Sequence, residues 1–163
     1  MARRIALDKD RLSVLRLSAL LHDVGKLAVP PAVLLTPGPL TAGEFVQVRR
    51  HPAAGVRMLR SLGAPREILP LVLHHHERWD GEGYPRGRAG ERIPLEARIL
   101  TVADSFDAMT STRPYRAPRE ADDALEELRR CAGSQFDPEL VLAFAAAWGE
   151  GELDALVWQA AAS

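Results

Sequence analysis

The chain has a single cysteine, Cys131, so no disulfide can close within it and packing must hold the fold. It also lacks any apolar run approaching the ~18–20 residues of a membrane span. Ile5-Ala6-Leu7 is too short to be the core of a signal peptide. Together these absences predict a cytoplasmic chain with no membrane span. Net charge is nearly absent as well: 21 basic against 22 acidic side chains leave −1, so no global positive field draws in DNA or RNA. Any phosphate ligand must be held locally. Lysine is scarce, since only Lys9 and Lys26 among the 21 basic residues are not arginine. What the chain does have is 163 residues, 47% of them hydrophobic, enough to fill one core and to exclude disorder as the main state.

The periodicity is helical nearly throughout. Leu12, Leu15, Ala19 and Leu20 form a stripe, with Asp10 as its cap, that delivers His22-Asp23 at a stop permitted by Gly25. Pro30, Pro31, Pro37 and Pro39 leave room for only a short turn of helix near Ala32 to Leu35. Thr41 and Glu44 have capping-box spacing, and Phe45 and Val48 are the expected first buried positions of a helix that reaches His51 and is interrupted by Pro52. After Gly63 and Pro65, the residues Ile68, Val72 and His75 share a face. Trp79 to Pro94 is one long loop rich in glycine and proline. Leu95 to Met109 is helical again and places Leu100, Asp104 and Asp107 on one apolar stripe. A helix opened by Pro118 and another capped by Asp137-Pro138 complete an all-α bundle without repeats.

Five histidines, His22, His51, His74, His75 and His76, sit at or near helix ends. A His-Asp pair alone means little. Three consecutive histidines mean more, because at least one must turn inward whatever the helical phase, and a satisfied core histidine accounts for only one of them. Asp104 and Asp107 are either two carboxylates facing that cluster or a solvated helix face. Imidazoles and carboxylates without a nearby thiolate suit Mn²⁺, Fe²⁺ or Zn²⁺ in a hydrolytic site. Lys26, three residues after Asp23, puts a compact ammonium where it could meet a phosphate oxygen.

His22-Asp23-Val24-Gly25-Lys26, Arg50-His51-Pro52, the string from His75-His76-Glu77 to Gly83-Tyr84-Pro85, and Val102-Ala103-Asp104-Ser105-Phe106-Asp107 closely resemble the HD-GYP family of HD-domain phosphodiesterases. The resemblance runs from about Leu17 to Trp148, within a single domain spanning 1–163 whose residues 149–163 are an extension. It implies an HD-domain helical bundle carrying two or three divalent ions, iron or manganese, that hydrolyses cyclic di-GMP to pGpG and in some members on to GMP. Carried over by position, the ligands are His22, Asp23, His51, His75, His76 and Asp104, with Asp23 bridging. Lys26 contacts phosphate and pairs with Asp107. Arg113 and Arg116 face the nucleotide. Gly83, Tyr84 and Pro85 shape the loop and offer a docking surface to diguanylate cyclase (GGDEF) domains, while His74 is structural or solvated.

One departure is expected to matter. Family members carry a helix ahead of the His-Asp helix that adds a histidine and, in trimetal members, a glutamate; Met1 to Asp10 holds neither. A weakly active or non-catalytic signalling module, binding nucleotide or a cyclase through the Gly-Tyr-Pro loop, is therefore the second reading. A homodimer covering the exposed stripe of the first helix belongs to the same expectation. A third reading, an HD-type hydrolase of another nucleotide, fits the His-Asp pair but not the Gly-Tyr-Pro string.

Overall fold

A computed structural model of the chain describes residues 7–112 and 117–151. Eight α-helices follow one another there, with no β-strand among the described residues: α1 (Lys9–Leu21), α2 (Pro31–Leu34), α3 (Ala42–Val48), α4 (His51–Ser61), α5 (Ile68–His74), α6 (Leu95–Thr110), α7 (Ala121–Arg130) and α8 (Pro138–Gly149). Short 3₁₀ turns cover Val24–Ala28 and Gly90–Arg92. No helix among the described residues is long and apolar enough to cross a membrane.

Two apolar clusters make the core. Ile99, Leu100, Val102 and Phe106 of α6 pack with Leu125 and Leu128 of α7 and Leu140, Val141 and Phe144 of α8, joined by Leu15 of α1. Leu59 of α4 packs with Ile68, Leu69 and Val72 of α5, flanked by Val14, Leu17 and Leu21 of α1. α1 thus lies between the clusters and buries two faces. This corrects the expected stripe: Leu15 is buried and Leu12 half-buried, whereas Ala19 and Leu20 are exposed, because the second cluster claims Val14, Leu17 and Leu21.

The caps follow local chemistry. Thr41 and Glu44 form the capping box of α3, and Asp137 caps α8 by accepting from Glu139 N. The cap of α1 is Asp8 rather than Asp10, its carboxylate accepting from Arg11 N at 2.8 Å. Chain direction changes at Arg49-Arg50, ahead of Pro52, which then sits in the first turn of α4 where a missing N–H costs nothing. Phe45, expected in the core, is 46% exposed, because α3 lies at the edge of the bundle.

Candidate metal centre

The site lies on the seam between the two clusters, where helix ends converge. His22 caps the C-terminus of α1, Asp23 begins the 3₁₀ turn, His51 opens α4, His75 caps the C-terminus of α5, and Asp104 lies midway along α6. Two glycines bring the turn onto α4. A Cβ on Gly25 would stand 1.9 Å from the His51 carbonyl oxygen and 2.5 Å from Gly55 N, so the two backbones touch only because Gly25 has no side chain. The expected role of Gly25 as a helix stop is therefore joined by a packing role. Gly55, inside α4, was the sequence signal for such an approach.

Three imidazoles are oriented in one way. Nδ1 of His22, His51 and His75 lies 2.7, 2.8 and 2.7 Å from the carbonyls of Ala19, Val48 and Val72, each three residues earlier. A carbonyl only accepts, so each Nδ1 carries the proton, and Nε2 of His51 and His75 faces the cluster with a free lone pair. Asp23 Oδ1 is 3.4 Å from His51 Nε2 and 3.9 Å from His75 Nε2. On its other side, Oδ2 is 3.4 Å from His22 Nε2 and 2.5 Å from Lys26 Nζ, and His22 Nε2 reaches Asp104 Oδ1 at 3.6 Å.

Asp23, His51, His75 and His76 each present one ligand atom within 4.8 Å of the others. His22 Nε2 and Asp23 Oδ1 are buried without a hydrogen-bond partner among the described residues, an arrangement that costs free energy unless a cation meets it. The donor set therefore fits a divalent metal. Burial pushes the pKa of His75 to about 3 and that of His76 to about 4, with neighbouring histidines adding to the shift, so both stay neutral and able to ligate. Burial opposes a charged His22, but the facing Asp104 and Asp23 outweigh it and raise the pKa to about 10. Burial likewise works against an ionised Asp23, yet His22, His51 and Lys26 hold its carboxyl far below the usual range. His22 also lowers Asp104, against burial.

The remaining expected residues divide. Lys26 pairs with Asp23, not Asp107, which is exposed and accepts from Ser111 Oγ at 3.0 Å. Tertiary contacts decide between these two residues of one helix face: Asp104 meets His22, whereas Asp107 meets Ser111 further along the chain. Arg113 and Arg116 lie outside the described residues. His74 is structural: it is buried, and its Nδ1 stands 3.2 Å from Glu77 Oε1.

Glu77, unread as a functional residue in the sequence, organises the long loop. It is buried, and its two carboxyl oxygens accept from Arg86 N at 2.8 Å and Arg88 N at 3.0 Å. Gly83 packs against the backbone of His76 to Arg78, where a Cβ would come within 2.3 Å of Arg78 N, and Tyr84 N donates to the His76 carbonyl. Tyr84 then stacks on His76 with ring centroids 4.9 Å apart, and burial pushes its phenol up to about 12. Thr101 was also missed; its hydroxyl lies 2.8 Å from the His75 carbonyl and ties α6 to the end of α5. A hydroxyl within an apolar helix face was the available signal.

A family model described as HD domain matches residues 1–140. A cyclic di-GMP phosphodiesterase of Thermotoga maritima is 42% identical over 147 residues, covering 88% of this chain and 39% of the relative. The fold is that of an HDGYP protein from Bdellovibrio bacteriovorus, with a TM-score of 0.69 at 17% identity over 86% of this chain and 45% of the other. A crystal structure of a cyclic GMP-AMP specific phosphodiesterase from Vibrio cholerae gives a TM-score of 0.64 at 23% identity, over 86% and 39% of the two chains. The chain spans about two fifths of the length of the curated relatives it matches. Helix order, clustered histidines and matched sequence lead to one assignment: the chain belongs to the HD-domain family, in its HD-GYP branch.

Proposed function

We propose that residues 1–163 act as one metal-dependent phosphodiesterase domain that hydrolyses cyclic di-GMP. The observation that carries this reading is the pair of donor sets around one carboxylate. Asp23 Oδ1 faces His51 and His75, while Oδ2 faces His22, itself beside Asp104. That arrangement supports a bridging role for Asp23 between two ions, with His22 and Asp104 on one side and His51, His75 and His76 on the other. Iron or manganese suits a donor set of imidazoles and carboxylates without thiolate. The ions, two or three, would supply Lewis acidity that lowers the pKa of the attacking water and neutralises the phosphodiester.

The chain's own groups do the rest. Water adds at phosphorus, the bond to the ribose 3′ oxygen breaks, and that oxygen takes up a proton, giving linear pGpG; a second hydrolysis gives GMP. Lys26 stands at Asp23 Oδ2 with its side chain 40% exposed. A cation shared at Asp23 would repel that ammonium and turn it to the substrate phosphate, where it stabilises developing charge. Arg113 and Arg116 are assigned to the nucleotide. Docking of a GGDEF domain is proposed at the loop around Tyr84-Pro85, where Glu82, Arg86 and Gly87 are exposed. Self-association is proposed through the exposed end of α1, where Leu20 is 81% exposed.

The test is metal analysis after anaerobic reconstitution with Fe²⁺ or Mn²⁺, together with chromatography of cyclic di-GMP incubated with the protein. Bound metal with pGpG or GMP as product is expected. Absence of metal or of turnover would overturn the phosphodiesterase reading and leave the signalling module in its place.

A further inference from the structure

Phe45 is the aromatic that helix periodicity assigns to the core and the fold leaves nearly half exposed. It sits two ring contacts from the metal centre. Its ring meets Tyr84 edge-on, with centroids 6.3 Å apart and an interplanar angle of 81°, and Tyr84 stacks on His76. Tyr84 is already engaged twice, stacked on His76 and with the Arg49 guanidinium 4.9 Å over its ring. Arg49 is also 5.7 Å from the Phe45 centroid, so one guanidinium spans both rings. That guanidinium has no hydrogen-bond partner among the described residues, which leaves its in-plane donors free. No role in the core accounts for a half-exposed ring and a guanidinium without a hydrogen-bond partner among the described residues, side by side near the metal centre.

We infer that Phe45 and Arg49 form the guanine subsite of this domain, Phe45 stacking on the base and Arg49 donating to its O6 and N7 edge. The inference rests on the proposed phosphodiesterase reading and extends it from phosphate chemistry to base recognition. Stacking on an aromatic ring is sequence-tolerant, since every base has a π-face. Discrimination then falls to Arg49: guanine offers two acceptors at N7 and O6, whereas adenine puts a donor at position 6 and would face the guanidinium donor to donor. A ribose separates phosphate from base, as Tyr84 separates His76 from Phe45.

The experiment compares binding of GMP, AMP and inorganic phosphate to the metal-loaded protein by calorimetry, for wild type, Phe45→Ala, Phe45→Trp and Arg49→Gln. Binding requires no turnover, so failure of hydrolysis and failure of this inference are separable. Phe45→Ala should weaken GMP about tenfold or more and leave phosphate unchanged, while Phe45→Trp restores GMP binding. Arg49→Gln should erase about tenfold of the preference for GMP over AMP. If Phe45→Ala weakens GMP and phosphate equally, the ring only braces the loop and the inference falls. Unchanged GMP affinity in Phe45→Ala, or an unchanged GMP to AMP ratio in Arg49→Gln, overturns it as well.

Discussion

Nε2 of His51 stands 3.2 Å from Nε2 of His75, and both rings have already committed Nδ1 to a carbonyl. Two lone pairs therefore face each other in a buried space, an arrangement a cation stabilises and bare protein does not. The carbonyls that set the rings belong to the turns immediately before them, so the helix ends aim the ligands.

Lys26→Ala should leave metal content unchanged and lower cyclic di-GMP turnover by 10- to 100-fold, because its ammonium contacts Asp23 and is assigned to phosphate. Metal analysis and kinetics on the same preparation check this. Unchanged turnover would give Lys26 a structural role only.

Gly25→Ala should destabilise the protein by about 3 kcal/mol or more and strip its metal, since the new Cβ would drive the 3₁₀ turn off α4. Gly43→Ala is the contrast. Nothing lies within 4 Å of its Cβ position, so removing glycine from α3 should stabilise by about 0.5 kcal/mol. Urea midpoints of both variants decide the matter; equal shifts would refute the close-approach argument.

Glu77→Gln should cost about 2–3 kcal/mol, because one oxygen that accepts from a loop N–H becomes an amide that can only donate. The damage should extend to the loop, seen as faster amide exchange at Arg86 and Arg88. Exchange unchanged from wild type would show that the loop holds itself.

Metal-free protein should be most stable near pH 6.5. His75 and His76 have folded pKa values of about 3 and 4 against 6.5 unfolded, so the unfolded chain binds more protons below pH 6.5 and stability falls with acid. His22 has the opposite sign. Its folded pKa of about 10 contributes stability fully present below pH 6.5 and lost as pH rises towards 10. Urea midpoints with chelator at pH 5, 6.5 and 9 test this. His76→Gln should flatten the acid limb and His22→Gln the alkaline one; identical profiles in all three proteins would reject the assignment.

Local chemistry made much of this legible in advance. The Thr41 and Glu44 capping box, the Asp137 cap, the burial of Ile68, Val72 and His75 on one face, and the loop from Trp79 to Pro94 all follow from spacing and residue type. They depend on neighbours three or four residues away, which a chain carries with it before any tertiary contact forms. The helix-end histidines and Asp104 stood out for the same reason, while the proposed ligand set as a whole rests on the family resemblance.

The exceptions each depend on a distant partner. Leu20 leaves the core because α1 serves two clusters, and Phe45 is exposed because α3 has only an edge to pack on. Lys26 pairs with Asp23 over Asp107 because the 3₁₀ turn sets it there, and Glu77 acquires its role only when the loop folds back on it. Periodicity says which side chains turn inward, but not which inward faces meet. That is decided by the close packing of elements far apart in the chain, here by the space left at Gly25 and Gly55.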